Sequence, residues 1–308
     1  MKDRQKSGCI PRIGILSPAT EPGMREWWNK LVQGLHEAGY VDGSNIELVW
    51  RFADGKFERL AGLAAELAQL ELDIVMPATP PAILAAKSAF PATPIVFPLG
   101  SDPVETGLVS SVERPGGNIT GMATMSWRQS RARLALVREI LPDARRVALI
   151  RHSANAALDL QVKESRTAAR ELDLELLVLE FSSGDGIEPA FETAGEKRAE
   201  AVLPLSEPVA YDNRKKIGRL SMQGGIPVVS PFQEMTQAGC VLGYGPDLSV
   251  LFRSSASIVD QILKGTRPGD IPIGEPPKFD LSINLTSARA LGLTIPDALM
   301  ARATSVIE

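Results

Sequence analysis

Small polar side chains follow several apolar runs of this sequence, and their chemistry suits the binding of a carboxylate. At the carboxyl ends of parallel strands, hydroxyl and amide groups lie beside helix N-termini, whose free N–H groups attract anions. One hydroxyl alone could equally be a helix N-cap, but three in the same register favour a shared ligand. In the first half these positions hold Ser17, Pro18 and Ala19 after the first run, Ala78 and Thr79 after the third, and Gly100, Ser101 and Asp102 after the fourth.

The equivalent positions of the second half offer groups for an amine or an aromatic ring. Glu207 follows the run AVLPLS and could accept hydrogen bonds from an ammonium group, although the helix dipole alone also favours a carboxylate there. His152 could bind a ligand or serve only as a structural hydrogen-bonding group. The candidates are His152, Ser153 and Asn155, then Ser206 and Glu207, then Phe232 and Gln233, with Trp27, Trp28, Trp127, Phe232 and Tyr244 as stacking surfaces. Trp28 lies on the apolar face of its predicted helix, which favours a place in the core.

Signals for catalysis are weak. The chain has two histidines, His36 and His152, and no paired His–Cys or His–Glu spacing, so we predict no metal site and no cofactor. It contains no G-x-S-x-G motif and no glycine-rich phosphate loop, and the nearest approach, at 243–246, ends in a proline. We therefore expect a protein that is not an enzyme, with a carboxylate-dependent enzyme on the same fold as an alternative.

Length and composition indicate a two-domain protein. A chain of 308 residues exceeds the size at which one core stops growing. The charged fraction is 23% and the formal net charge is −4, without a block of like charges, so nucleic acid is not an expected partner. The longest apolar runs, such as 61–72, are interrupted by polar residues and are shorter than the roughly 20 residues of a membrane helix.

The two cysteines, Cys9 and Cys240, do not form a disulfide framework, and we expect no bridge between them. The first ten residues, MKDRQKSGCI, start with basic residues but contain no apolar core of seven or more, so they are not an intact secretory signal. A lipid-modified Cys9 would need a preceding apolar stretch, so we expect an ordinary thiol. Either the protein is cytoplasmic or its export signal is not part of this sequence.

Apolar runs alternate with helical periodicity through both halves, which predicts parallel sheets covered by helices on both faces. The first half predicts strands at 12–17, 45–52, 73–78 and 94–99, and helices at 24–38, 57–70 and 80–89. The second half predicts strands at 145–151, 175–181, 201–205 and 227–231, and helices at 157–172, 187–198, 209–222 and 248–264. A strand at 278–285 and a short helix capped by Thr286 or Ser287 follow.

Two segments repeat the same arrangement of a Pro-Val strand, a polar loop and a Gly-flanked strand, at 94–121 and at 226–246. This recurrence predicts two similar halves that face one another across a cleft. We place the N-terminal lobe at 11–121 plus 247–277 and the C-terminal lobe at 122–246 plus 278–308.

The chain also resembles the substrate-binding proteins of ABC transporters, in the family that includes the tryptophan- and tyrosine-type binding proteins. The resemblance runs from Arg12 to Glu308. Its motifs are RIGILSP at 12–18, Ala78–Thr79–Pro80, SDPVETGLV at 101–109, RPGGNITG at 114–121, GYGPDLSVLFRSSASIVDQILKG at 243–265 and PPKFDLSINLTSARALGLTIPDALMARA at 276–303. It implies an α/β fold of the periplasmic-binding-protein type I class. Two doubly wound parallel-sheet domains would be joined by three crossings near 120–125, 243–247 and 277–279, and would close over a ligand cleft.

The same resemblance implies an amino-acid ligand, often an aromatic one. Ser17, Thr79 and Ser101 would hold its carboxylate, and an acidic residue of the second domain would hold its amine. Other members have Thr-Asp-Asn where this chain has Ser206, Glu207 and Pro208, which leaves an aromatic carboxylate without an amine as an alternative.

From this resemblance we expect a monomeric periplasmic or cell-surface protein that binds a small molecule and meets an ABC permease of the inner membrane. A cytoplasmic small-molecule sensor on the same fold is the rival class. Such a sensor usually needs an attached output module, and the few residues before Arg12 are too short for one.

Overall fold

The computed structural model describes residues 10–308, which form two compact units. Unit 1 comprises residues 10–125 and Leu248–Pro276, and unit 2 comprises Ser126–Asp247 and Pro277–Glu308. The units therefore divide at 125/126, 247/248 and 276/277, and the sequence analysis placed the lobe boundaries at 121/122, 246/247 and 277/278. Cys9 lies outside the described residues.

The elements within residues 10–308 are numbered in chain order. The strands are β1 Arg12–Ser17, β2 Glu47–Phe52, β3 Ile74–Pro77, β4 Ile95–Gly100, β5 Ile119–Ala123, β6 Arg146–His152, β7 Glu175–Phe181, β8 Ala201–Pro204, β9 Val229–Ser230, β10 Leu242–Pro246, β11 Phe279–Asn284 and β12 Ser305–Ile307. The helices are α1 Glu21–Glu37, α2 Leu60–Ala68, α3 Pro80–Ala89, α4 Ser130–Ile140, α5 Asp159–Glu171, α6 Ile187–Glu196, α7 Pro208–Asp212, α8 Arg214–Gly224, α9 Gln233–Gln237, α10 Leu248–Leu263, α11 Leu285–Ala290 and α12 Asp297–Met300.

Unit 1 contains one five-stranded parallel sheet in the order β2-β1-β3-β4-β5. Strands β3 and β4 are buried at every position, as expected for parallel strands that are covered on both faces. Thr20 is the N-cap of helix α1, and its hydroxyl accepts a hydrogen bond from the Gly23 N–H at 3.1 Å. Because β1, β3 and β4 are neighbouring parallel strands, their carboxyl ends lie at the same edge of this sheet.

An aromatic cluster forms part of the core of unit 1. The rings of Trp27 and Trp28 lie 5.8 and 5.0 Å from the ring of Phe252 in α10, and Trp28 also contacts Trp50 edge-on. Each buried aromatic side chain contributes roughly 1.5–3 kcal/mol through removal of its apolar surface from water. Trp28 occupies its expected core position, and Trp27, a candidate stacking surface, is also buried.

Unit 2 contains two groups of strands, β7-β6-β8 and β12-β11-β10-β9. They meet where the Val202 N–H donates to the Pro227 carbonyl at 2.9 Å. Strand β11 is antiparallel to β10 and pairs Phe279 with Pro246. The chain leaves unit 2 after β10 and returns next to the end of that strand, so β11 runs in the opposite direction and the sheet is mixed rather than wholly parallel.

Several local predictions differ from the structure. The helix expected at 209–222 is divided into α7 and α8 at Asn213, whose side-chain amide donates to the Val209 carbonyl at 2.8 Å. Helix α11 is capped by Asn284, which accepts a hydrogen bond from the Ser287 N–H at 2.8 Å, rather than by Thr286 or Ser287. Helices α4, α9 and α12 and strand β12 were not predicted.

Cys240 is a free thiol that is fully buried in unit 2, and this burial raises its pKa. A buried thiol in apolar surroundings is chemically inert. Between residues 10 and 308, no helix has the length and hydropathy that crossing a membrane requires.

Candidate functional site

The carboxyl edge of the unit 1 sheet brings together the polar residues that the sequence analysis selected in the first half. Backbone hydrogen bonds of 2.9 Å join the Ala78 N–H to the Leu16 carbonyl and the Thr79 N–H to the Leu99 carbonyl. These bonds hold the ends of β1, β3 and β4 next to one another. The edge consists of Ser17, Pro18 and Ala19, then Ala78 and Thr79, then Gly100, Ser101 and Asp102.

Thr79 is the most unusual residue of this edge. Its φ is +70°, which strains a β-branched side chain, and it is only 3% exposed. Its Oγ1 atom has no hydrogen-bond partner, and it does not cap α3. Buried hydroxyls normally find a partner, and strained backbone residues cluster at ligand sites. The Thr79 hydroxyl is therefore available to a bound molecule.

Two other residues of the edge already have structural partners. The Ser17 hydroxyl donates to the sulfur of Met24 at 3.3 Å. The Asp102 carboxylate accepts from the Val104 and Glu105 N–H groups at 2.9 and 3.0 Å, so it stabilises the turn that follows β4. Ser101 is half-buried.

In unit 2, Glu207 is the N-cap of α7. Its carboxylate accepts hydrogen bonds from the Val209 N–H at 2.9 Å and from the Ala210 N–H, and the residue is 4% exposed. Burial raises the pKa of Glu207 to about 8, although the two N–H groups lower it, and the nearby Asp212 carboxylate makes a smaller contribution that raises it. The structure thus shows the helix-start role that the sequence analysis considered, in a buried setting.

Two polar residues at or just after the end of β6, His152 and Asn155, differ in whether their side chains already have hydrogen-bond partners. The Nε2 atom of His152 donates to the Ser182 carbonyl at 2.9 Å, and its Nδ1 atom accepts from the Ala154 N–H at 3.3 Å. This is the structural role that we considered for His152. Asn155 is 2% exposed, and its Oδ1 atom has no hydrogen-bond partner, so it can accept a hydrogen bond from a bound molecule.

The aromatic candidates of unit 2 differ in exposure. Phe232 is buried, and its ring meets that of Tyr211 edge-on at 5.7 Å, so it belongs to the core. Tyr244 is half-buried beside Phe279, at 6.2 Å between the rings. Trp127 is half-buried, with the Arg128 guanidinium 5.5 Å from its ring.

Sequence reasoning missed a row of buried polar residues at the start of α4. Ser126, Gln129, Ser130 and Arg133 are spaced i, i+3, i+4 and i+7 on one helical face, and all four are buried. Ser126 Oγ donates to Ser206 Oγ at 3.3 Å, and Ser206 N–H donates to Gln161 Oε1 at 3.4 Å. The sequence signal for this polar face was the helical spacing of the four residues, which come directly before the apolar residues of α4.

Neither a metal centre nor a nucleophilic triad is formed by these residues. Among residues 10–308 no group of three or more His, Cys, Asp or Glu side chains could hold a metal ion. The arrangement at the strand ends is suited to hydrogen bonding with a polar ligand.

Comparisons with known proteins give a family match and a curated relative. A family model described as "ABC transporter substrate binding protein" matches residues 12–307. A curated relative, the tyrosine-binding protein of Clostridioides difficile strain R20291, is 23% identical over 281 residues, which is 91% of this chain and 81% of that protein.

Two solved structures share the fold over 97% of this chain and 100% of theirs. A conserved domain protein from Vibrio cholerae has a TM-score of 0.91 at 25% identity. A Streptococcus pneumonia ABC domain, solved in complex with L-Trp, has a TM-score of 0.88 at 22% identity. The resemblance and the fold class that the sequence analysis stated are confirmed.

Proposed function

Because this chain belongs to the ABC transporter substrate binding protein family, we propose that it is the solute-binding component of an importer and that it binds an amino acid. The observation that carries this proposal is the pair of buried, unpartnered oxygens, Thr79 Oγ1 and Asn155 Oδ1, at the carboxyl ends of strands in the two units. Open α/β sheets bind ligands at such ends. Buried polar atoms without a hydrogen-bond partner lower the stability of the protein unless a ligand forms hydrogen bonds with them.

The proposed ligand is an amino acid with an aromatic or other apolar side chain. Relatives named for tyrosine and bound to L-Trp support this class. The Thr79 hydroxyl and the half-buried Ser101 would form hydrogen bonds with polar groups of the ligand. The Asn155 oxygen and the Glu207 carboxylate would accept from its ammonium group.

The proposed partner is an ABC permease, and the proposed location is outside the cytoplasmic membrane, as is typical of the family. We expect a monomer in solution. A cytoplasmic sensor or an enzyme would share the fold, since fold alone does not decide function, but the family match favours neither.

One observation favours a second ligand class, an aromatic carboxylate without an amine. Both oxygens of Glu207 already accept backbone N–H groups, and burial favours the neutral acid. A neutral Glu207 would tolerate a ligand that lacks a positive charge.

The two classes predict opposite effects of pH on affinity. An ammonium group pairs with the ionised form of Glu207. With a pKa of about 8, the Glu207 carboxyl group is protonated in most molecules at pH 6. The affinity for an amino acid should therefore rise by roughly tenfold per pH unit from pH 6 towards pH 8. The affinity for a deaminated acid should be flat or fall, because ionised Glu207 repels it.

Calorimetric titration with L-tryptophan and with indole-3-propionate at pH 6, 7 and 8 measures this difference. Glu207→Gln removes the titrating group and should abolish the rise for L-tryptophan. Equal slopes for the two ligands in the unmodified protein would show that Glu207 does not bind the amine.

A further inference from the structure

We propose that Arg133, with Gln129 and Ser130, forms the site in unit 2 that binds the carboxylate of the ligand. This inference rests on the proposed function, because it assumes a carboxylate ligand. It identifies the positive charge that such a ligand requires and that the hydroxyls of unit 1 do not provide.

The geometry places these side chains on one face. The 3₁₀ turn Ser126–Gln129 continues directly into α4, so Gln129, Ser130 and Arg133 lie within one turn of each other on the same side. Arg133 is 2% exposed, and its Nη2 atom donates to the Ser126 carbonyl at 3.2 Å. This bond fixes one edge of the guanidinium.

The remaining polar atoms of this face have no hydrogen-bond partner. They are Nη1 of Arg133, Oγ of Ser130, and Nε2 and Oε1 of Gln129. A guanidinium, a hydroxyl and an amide N–H supply several donors, and the two oxygens of a carboxylate can accept from them together. A guanidinium also matches the planar carboxylate better than an ammonium group does.

The charge of Arg133 is unpaired, in contrast to that of Arg131 on the same helix, which pairs with Glu171. No ion pair of the described part of the chain includes Arg133. A buried charge without a counterion is strongly unfavourable, and an anionic ligand would remove that penalty.

The surroundings of Arg133 leave it charged and free for an anion. Burial lowers the pKa of Arg133 to about 10, which still leaves the side chain protonated at neutral pH. Among the described residues, Tyr244 is the ionisable group with an electrostatic effect on Arg133, and it raises the pKa. The nearby side chain of Gln161 on α5 is neutral and is already engaged by the Ser206 N–H. The protein therefore supplies a cation and neutral donors at this face.

The experiment compares three related probes with three variants by calorimetric titration. The probes are L-tryptophan, its decarboxylated form tryptamine and its deaminated form indole-3-propionate, with the equivalent tyrosine series in parallel. The variants are Arg133→Met, which removes the charge, Arg133→Lys, which keeps the charge but not the planar fork, and Arg131→Met as an exposed control on the same helix.

We expect Arg133→Met to lower the affinity for the carboxylate-bearing probes by about a hundredfold or more. Arg133→Lys should lie between it and the unmodified protein, and Arg131→Met should bind normally. Without ligand, Arg133→Met should melt at the same or a higher temperature, because an unpaired buried charge has been removed. A purely structural arginine would give a lower melting temperature and would leave the preference for carboxylates unchanged.

Unchanged affinity in Arg133→Met would overturn this inference while leaving the proposed function intact. The same conclusion would follow if the unmodified protein bound tryptamine as tightly as L-tryptophan, and this comparison decides the question even if Arg133→Met does not fold. Failure of the unmodified protein to bind any probe of either series would instead contradict the proposed ligand class.

Discussion

Replacing Gly245 by valine is expected to prevent unit 2 from folding stably. Gly245 lies in β10, against the carbonyl group of Pro231, the residue directly after β9. A Cβ atom on Gly245 would overlap the Pro231 oxygen. Because the obstacle is backbone, no side-chain rotation relieves the overlap. We expect a loss of roughly 3 kcal/mol or more in the free energy of unfolding, measured by urea denaturation.

Gly195→Ala is the matched control in the same unit. Gly195 is an exposed residue of α6, and a Cβ atom there would make only ordinary contact with Ile226 at 3.9 Å. Alanine has a higher helix propensity than glycine, so this change should raise stability by about 0.5–1 kcal/mol. A Gly245→Val protein with an unaltered urea midpoint would show that β10 and β9 do not approach as the structure has them.

Thr79→Val is expected to separate ligand affinity from stability. Valine keeps the shape and the β-branch of threonine, so the strain at φ +70° is unchanged and only the unpartnered hydroxyl is removed. Loss of one hydrogen bond to the ligand should lower affinity by about tenfold or somewhat more. The melting temperature of the ligand-free protein should stay the same or rise, because a buried unmet hydroxyl has been removed.

Thr120→Val provides the contrasting result in the same unit. The Thr120 hydroxyl is fully buried and donates to the Ile271 carbonyl at 2.8 Å. Its loss should lower stability by about 1–2 kcal/mol and leave ligand affinity unchanged. Titration with the tightest-binding amino acid and thermal melting measure both quantities. If Thr79→Val lost stability as Thr120→Val does, the Thr79 hydroxyl would have a structural rather than a binding role.

The alternation of strands and helices could be predicted because burial on both faces leaves a strong apolar signal. Strand β1, expected at 12–17, is observed at Arg12–Ser17. Helix α4 was missed because the polar Gln129, Ser130 and Arg133 interrupt the apolar pattern where a helix would be recognised. The antiparallel direction of β11 depends on where the chain re-enters unit 2, which local pattern does not record.

The gathering of Ser17, Thr79 and Ser101 at one edge could also be predicted, since it follows from parallel strands that end together. The backbone strain, the hydrogen bonds and the burial of each residue could not be predicted. The positive φ of Thr79, the capping bonds of Glu207 and the burial of Phe232 depend on contacts with residues that are distant in sequence or on local backbone geometry. The unpaired charge of Arg133 becomes visible only when its neighbours are known.

A thermal-shift panel on refolded protein tests whether this protein binds an amino acid without converting it. The protein is first unfolded in guanidinium to release any retained ligand, and is then melted with each of the common L-amino acids and with aromatic and branched carboxylates. We expect several aromatic or apolar amino acids to raise the melting temperature, since a ligand at 100 times its Kd stabilises by about 2.7 kcal/mol. Mass spectrometry should recover the ligand unchanged. No stabilisation by any amino acid or carboxylate, or recovery of a chemically altered product, would contradict the proposed function.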